Sequence, residues 1–150
     1  MSENTALDLA PAATGADTVR QSIQNLKHNN VAVYSSFTGD TFEDKKAVVA
    51  ALSNALPLSE HIGEVINLTN IIIQAVEMED ETTKKMVTVP RLILVGDNDE
   101  SYYAISNGLY KSIENIVGIM GQPETWGQPL PIAVDRIKGG KGFFYTARIA

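Results

Sequence analysis

The sequence contains no cysteine and only two histidines, His28 and His61. Without thiols there can be no disulfide, no zinc–thiolate or iron–sulfur site and no thiol catalysis. Two isolated histidines also argue against a histidine-rich metal site. Basic residues are few: 12 Lys and Arg stand against 18 Asp and Glu, for a net charge of −6. That balance argues against coating nucleic acid by bulk positive charge. A local basic groove stays open, because a binding field depends on where the charges sit. No apolar run approaches the roughly 18 residues of a bilayer span. Residues 1–17 hold Glu3, Asp8 and Asp17 but no Lys or Arg, so the basic and apolar regions of a signal peptide are missing. The expected location is cytoplasmic. What the chain does have is 44% hydrophobic residues over 150 positions, the size of one domain with a real core.

Residues 1–16 are mostly Ala, Pro, Thr, Ser and Gly, and are expected to form a flexible tail. Val19, Ile23 and Leu26 have helical spacing, which predicts a helix over 17–28. Residues 31–34 read as a short strand. Thr41 followed by Asp44 looks like an imperfect capping box. Behind it Val48, Ala51, Leu52 and Ala55 form one stripe, predicting a helix over 42–56 that Pro57 stops. The rest reads mostly as strands. In 64–79 the alternation slips: Ile66 and Leu68 share one parity, Ile71, Ile73 and Ala75 the other. A bulge near Thr69-Asn70 would bring all five to one face and bend the strand. A polar hairpin follows, then a strand over 86–95 in which Pro90 suggests an edge or bulge, then a strand over 101–105. Leu109, Ile113, Ile116, Val117 and Met120 predict a helix over 107–119. Strands over 130–138 and 143–149 flank a Gly139-Gly140 turn. The order strand–strand–strand–helix–strand–strand is that of a five-stranded OB-fold barrel, mainly β with some α. The expected organisation is a single OB-fold-like domain over 17–150, in which N-terminal helices precede the barrel.

Enzymatic signals are weak. Asp97, Asp99 and Glu100 sit in a turn, where solvated acids are common. Glu77, Glu79, Asp80 and Glu81 read as a hairpin tip. Gly139-Gly140-Lys141-Gly142 lacks the frame and the Ser/Thr of a phosphate-binding loop. No nucleophile is paired with a base, so neither a catalytic group nor a cofactor nor a metal is expected.

The C-terminal hairpin carries more. Residues 131–150 hold Arg136, Lys138, Lys141 and Arg148 against the single acid Asp135, a local net charge of +3 in an acidic protein. Aromatics interleave with these bases. Alternation assigns Phe143, Tyr145, Ala147 and Ile149 to the core, and Phe144 and Arg148 to one exposed face. An exposed ring beside a cation can take an unstacked base and a phosphate. Further candidates lie where OB folds bind ligands, on the second and third strands. Arg91 is the only base there, and of Tyr102 and Tyr103 one should be buried and the other exposed. Tyr34, Phe37, Lys45 and Lys46 could extend a groove. Trp126 reads more simply as a core plug.

Several stretches resemble bacteriophage single-stranded-DNA-binding proteins. They are His61-Ile62-Gly63-Glu64-Val65-Ile66-Asn67-Leu68, then Ile71-Ile72-Ile73-Gln74-Ala75-Val76-Glu77, an acidic hairpin and Pro90-Arg91. Ser101-Tyr102-Tyr103-Ala104-Ile105-Ser106-Asn107-Gly108 and the ending from Trp126 through the Lys-Gly-Gly-Lys-Gly turn complete the pattern. The likeness covers roughly 31–150. It implies an OB fold that binds single-stranded DNA with little sequence preference during phage replication or recombination, in the host cytoplasm. It also implies self-association, with a homodimer the first expectation, and replication or recombination proteins as further partners; no membrane is expected. One departure is the absence of a disordered acidic C-terminal tail of the kind that recruits partners to cellular single-strand binders. The competing reading is an OB-fold adaptor or assembly subunit without nucleic-acid binding. A nucleotide-metabolising enzyme stands third.

Overall fold

The computed structural model describes residues 31–140 and 142–150. The expected tail over 1–16, the expected helix over 17–28 and Lys141 lie outside the described residues. The elements in order are β1 (Val31–Ser35), α1 (Phe42–Ser53), β2 (Leu56–Pro57), a 3-10 turn (Leu58–Glu60), β3 (Val65–Glu79), β4 (Met86–Gly96), β5 (Ser101–Ile105), α2 (Asn107–Met120), a second 3-10 turn (Pro123–Thr125), β6 (Leu130–Gly139) and β7 (Gly142–Ile149). From β3 onward the expected order of strands and helix is present.

The strands form one sheet in the order β2-β5-β4-β3-β6-β7, with β1 also paired to β3. The fold is mainly β, a curled half-barrel consistent with an OB-like barrel. Seven strands take part among the described residues rather than the five expected. The additions are β1, foreseen as a lone strand-like segment, and β2. The helix expected over 42–56 stops at Ser53, short of Pro57; Leu56 and Pro57 instead run parallel to Tyr102 and Tyr103 at the sheet edge.

β3 is long enough to serve two partners. Val65–Leu68 pairs with β6, and Leu68–Glu79 pairs with β4. Between Leu68 and Asn70 the register shifts, because Leu68 pairs with Gly96 and Asn70 with Val95. Thr69 is the extra residue, and its hydroxyl donates to the Val95 carbonyl at 3.2 Å. Of the five residues that the slipped alternation assigns to one face, Ile66, Leu68, Ile71 and Ile73 join one core, and Ala75 does not reach it. Ser36, just after β1, secures the strand beyond the bulge. Its Oγ accepts from the Ile71 amide at 2.8 Å and donates to Asn70 Oδ1 at 2.9 Å.

The inner core gathers Leu92, Leu94, Tyr102 and Ala104 from β4 and β5, Ile132 and Val134 from β6, and Leu109 and Ile113 from α2. α2 starts at Ser106, whose side chain accepts from the Leu109 amide at 3.0 Å, and ends at Gly121, whose φ of 85° favours glycine. Met120, expected in the core stripe, is 46% exposed. α2 lies beside β7, with Ser112 Oγ 2.9 Å from Thr146 Oγ1. A Cβ on Gly108 would come within 2.8 Å of the Tyr145 carbonyl oxygen, so this close approach requires glycine.

A second core lies on the outer face of the sheet. Ile72, Ile93 and Val95 are covered by Val48, Ala51 and Leu52 of α1 and by Ala55 just after it, with Phe37 and Tyr103 alongside. The capping box that starts α1 is complete. Thr41 Oγ1 accepts from the Asp44 amide at 3.1 Å, and Asp44 Oδ2 accepts from the Thr41 amide at 3.3 Å.

β4 is central for half its length and an edge for the rest. Its last pair with β5 is Arg91 with Ile105, so, among the described residues, 86–90 have only β3 beside them. Pro90 falls where the β5 flank ends, and a residue without an amide proton is tolerated there.

Candidate nucleic-acid interface

The β6–β7 hairpin outgrows the rest of the sheet. β6 pairs with β3 only over Leu130–Ala133, while it pairs with β7 as far as Gly139. Beyond Val134, whose carbonyl accepts from the Gly63 amide at 2.9 Å, the hairpin projects with no strand on its other side among the described residues. The alternation that puts Ile132 and Val134 inside continues through Arg136 and Lys138. On β7 it continues from Ala147 and Tyr145 to Phe143. Outside the barrel that face meets solvent instead of core.

This explains one correction. Phe143 was expected in the core and is 63% exposed. Its parity follows Tyr145 and Ala147, which do pack against the core, but the core ends before it. Ile149, also expected inside, is 53% exposed at the other end of β7. Lys138 pairs across the ladder with Phe143, and the Arg136 guanidinium stands over the Phe143 ring, 4.9 Å from its centroid. A ring and two cations therefore share one projecting face.

The opposite face carries Phe144 and Arg148. Phe144 is 45% exposed, less than Phe143. It packs at Gly108 and Gly139, where an added Cβ would lie 3.4 Å from its ring atoms. Arg148 is exposed, but its Nε donates to Asp135 Oδ2 at 2.7 Å, so a carboxylate already balances its charge. The sequence reading set Phe144 and Arg148 first. The structure offers Phe143, Arg136 and Lys138 as the more accessible set.

The tyrosine pair divides as expected. Tyr102 is buried in the inner core, edge-on to His61, and its hydroxyl donates to Glu100 Oε1 at 2.9 Å. Burial and then that acceptor raise its pKa. Its ring is closed off from solvent, which leaves Tyr103. Tyr103 is half-buried on the outer face beside Arg91, whose guanidinium lies 4.9 Å from its ring centroid. Arg91 Nη1 in turn donates to Gln74 Oε1 at 2.7 Å. α1 covers the neighbouring part of this face, so the Arg91 end is what it leaves open.

The remaining candidates are dispersed. Tyr34 packs against the inner core, and burial, then Glu124, raise its pKa. Trp126 also packs there, its Nε1 donating to the Gly121 and Met120 carbonyls at 3.0 and 3.1 Å. Phe37 packs under α1. Lys45 and Lys46 are exposed on α1; Lys46 is 3.4 Å from Glu43 and over the Phe42 ring at 5.6 Å. Phe37 and Lys46 do line one groove of about 380 Å³ beside α1. Among the described residues no His, Asp and Glu side chains gather in a group that could hold a metal.

Sequence reasoning missed Phe143 as a surface ring and Gln74 altogether. No signal in the linear sequence marks the first: only the pairing shows that ten residues of β6 meet four of β3, so that the hairpin tip leaves the sheet.

The fold and site together define a class: a β-rich binding domain that presents a ring and cations on a projecting hairpin. A family model for phage single-stranded DNA-binding protein, of the phi29 type, matches residues 27–149. The chain belongs to that family of single-stranded-DNA-binding proteins. No curated protein and no solved structure matches it. No helix among the described residues is long and apolar enough to cross a membrane.

Proposed function

We propose that this protein holds single-stranded DNA without sequence preference during phage replication or recombination, protecting or presenting it, and performs no chemistry of its own. Unpaired bases stack on the Phe143 and Phe144 rings. Arg136 and Lys138 take the neighbouring phosphates, with Arg91, Lys141 and Arg148 as further cations along the strand. Every base has a π-face, so stacking tolerates any sequence and contributes about 1–3 kcal/mol per base. The observation that carries this reading is Phe143, exposed beside Arg136 and Lys138 on a hairpin that has left the barrel. The net charge of −6 then has a use: acidic surface away from the hairpin disfavours the denser charge of duplex DNA. Copies of the chain associate on the strand, a dimer being the simplest unit.

The test is a titration of fluorescent oligo-dT at about 50 and 200 mM salt, with matched duplex as control. Three or four phosphate contacts give a slope of about −2 to −3 in log K against log salt. Strand-selective binding with that slope is expected. Absence of binding at low salt refutes the reading and promotes a protein–protein adaptor in its place.

A further inference from the structure

Gln74 sits in the middle of β3 on the outer face, and it is only 9% exposed. Its neighbours in the same row, Ile72 and Val76, are buried and apolar. A buried amide there is costly unless hydrogen-bonded, and an aliphatic side chain would fill the place without that cost. What the amide adds among the described residues is one contact, its Oε1 accepting from Arg91 Nη1 at 2.7 Å across the ladder. The same guanidinium stands over Tyr103 of β5, 4.9 Å from the ring centroid. Two strands thus fix one arginine.

The chemistry of the partner is the informative part. Arg148 is held at the same 2.7 Å by a carboxylate, Asp135, which balances its charge. Arg91 is held by a neutral amide and forms no ion pair among the described residues. Among the described residues, then, it is oriented and no carboxylate balances its charge. A guanidinium fixed in advance loses less side-chain freedom on meeting an anion, and its remaining N–H donors suit a phosphate.

We propose that Arg91 is a fixed phosphate contact for the bound strand and that Gln74 is its positioning residue. On this assignment Tyr103 backs the arginine and does not serve as a platform for a base, because the cation occupies its ring face. The proposal rests on the single-strand-binding reading above.

The test uses the full chain and the same oligo-dT titration at several salt concentrations, with folding checked by circular dichroism. Gln74→Glu keeps the acceptor that orients Arg91 but balances its charge. It should therefore imitate Arg91→Gln: both should flatten the salt slope by about 0.7, the value of one single-strand phosphate contact, so that affinity falls two- to threefold less between about 50 and 200 mM salt. Gln74→Met frees the guanidinium without removing its charge, so affinity should fall while the slope holds. A structural role for Gln74 alone would not move the slope. Arg91→Gln alters a half-buried side chain and decides the matter if a buried glutamate prevents folding. An unchanged slope in folded Arg91→Gln overturns the proposal, while binding by the parent chain and its loss in Phe143→Ala would leave the wider reading intact. Failure of the parent chain to bind overturns both.

Discussion

Replacing Phe143 by alanine should separate binding from stability. The ring is 63% exposed, so just over a third of its surface is buried. Full burial of a Phe is worth about 1.5–3 kcal/mol, and that fraction comes to about 0.5–1 kcal/mol. The Arg136 contact at 4.9 Å adds about 0.5–1 kcal/mol at an exposed site. The loss of folding stability is therefore about 1–2 kcal/mol, which a domain with about 5–15 kcal/mol tolerates. Binding should suffer more. One lost stack costs about 1–3 kcal/mol, or roughly five- to 150-fold in Kd. Phe143 carries no charge, so the salt slope should change little. The assay is oligo-dT titration beside urea denaturation of the same preparation. Phe144→Ala is the companion: that ring packs at Gly108 and Gly139, and its loss should cost more stability for less affinity. Unchanged affinity in a folded Phe143→Ala would refute the argument that the overhang creates the site.

Asp135→Asn should release Arg148 from its carboxylate and steepen the salt dependence of strand binding; an equal or flatter slope would place Arg148 off the strand. Deleting Thr69 removes the extra residue of the bulge and its bond to Val95 but leaves Leu68 opposite Gly96 and facing the core, so the thermal transition should stay cooperative at a lower midpoint, and loss of the transition would disprove the register. Thr41→Ala breaks the capping box of α1 and should cost about 1 kcal/mol in chemical denaturation. Asp80 accepts from the Thr82 and Thr83 amides, which lower its pKa. Its carboxylate therefore supports the β3–β4 turn above the unfolded pKa, and that support fades as pH falls through the lowered folded value. Amide signals of Thr82 and Thr83 should shift in that acid range and not in Asp80→Asn.

Local rules revealed much of the fold. The capping box at Thr41 and the glycine after α2 are short-range chemistry. The bulge was legible because five apolar residues changed parity around two polar ones. Strand β2 was not legible, since two residues carry no period and only β5 makes them a strand. The site was partly legible. Composition located the basic hairpin, but alternation alone reports a side and not a depth, and so it buried Phe143. The pairing of Gln74 with Arg91 joins residues 17 positions apart. Nothing in the linear order distinguishes that glutamine from any other polar residue in a strand.

Copies that line up along a strand are held at high local concentration, and an unpaired sheet flank then becomes a hazard. Residues 86–90 of β4 are such a flank, with exposed Met86 and Val87 at its outer end. Backbone groups left open there could zip onto the same flank of a neighbour and turn an ordered array into an aggregate. Pro90 withholds one amide proton from that flank, and Lys84 and Lys85 put like charges beside its start. The proline that looked like a blemish in a strand is thus also a guard on an open flank of the sheet.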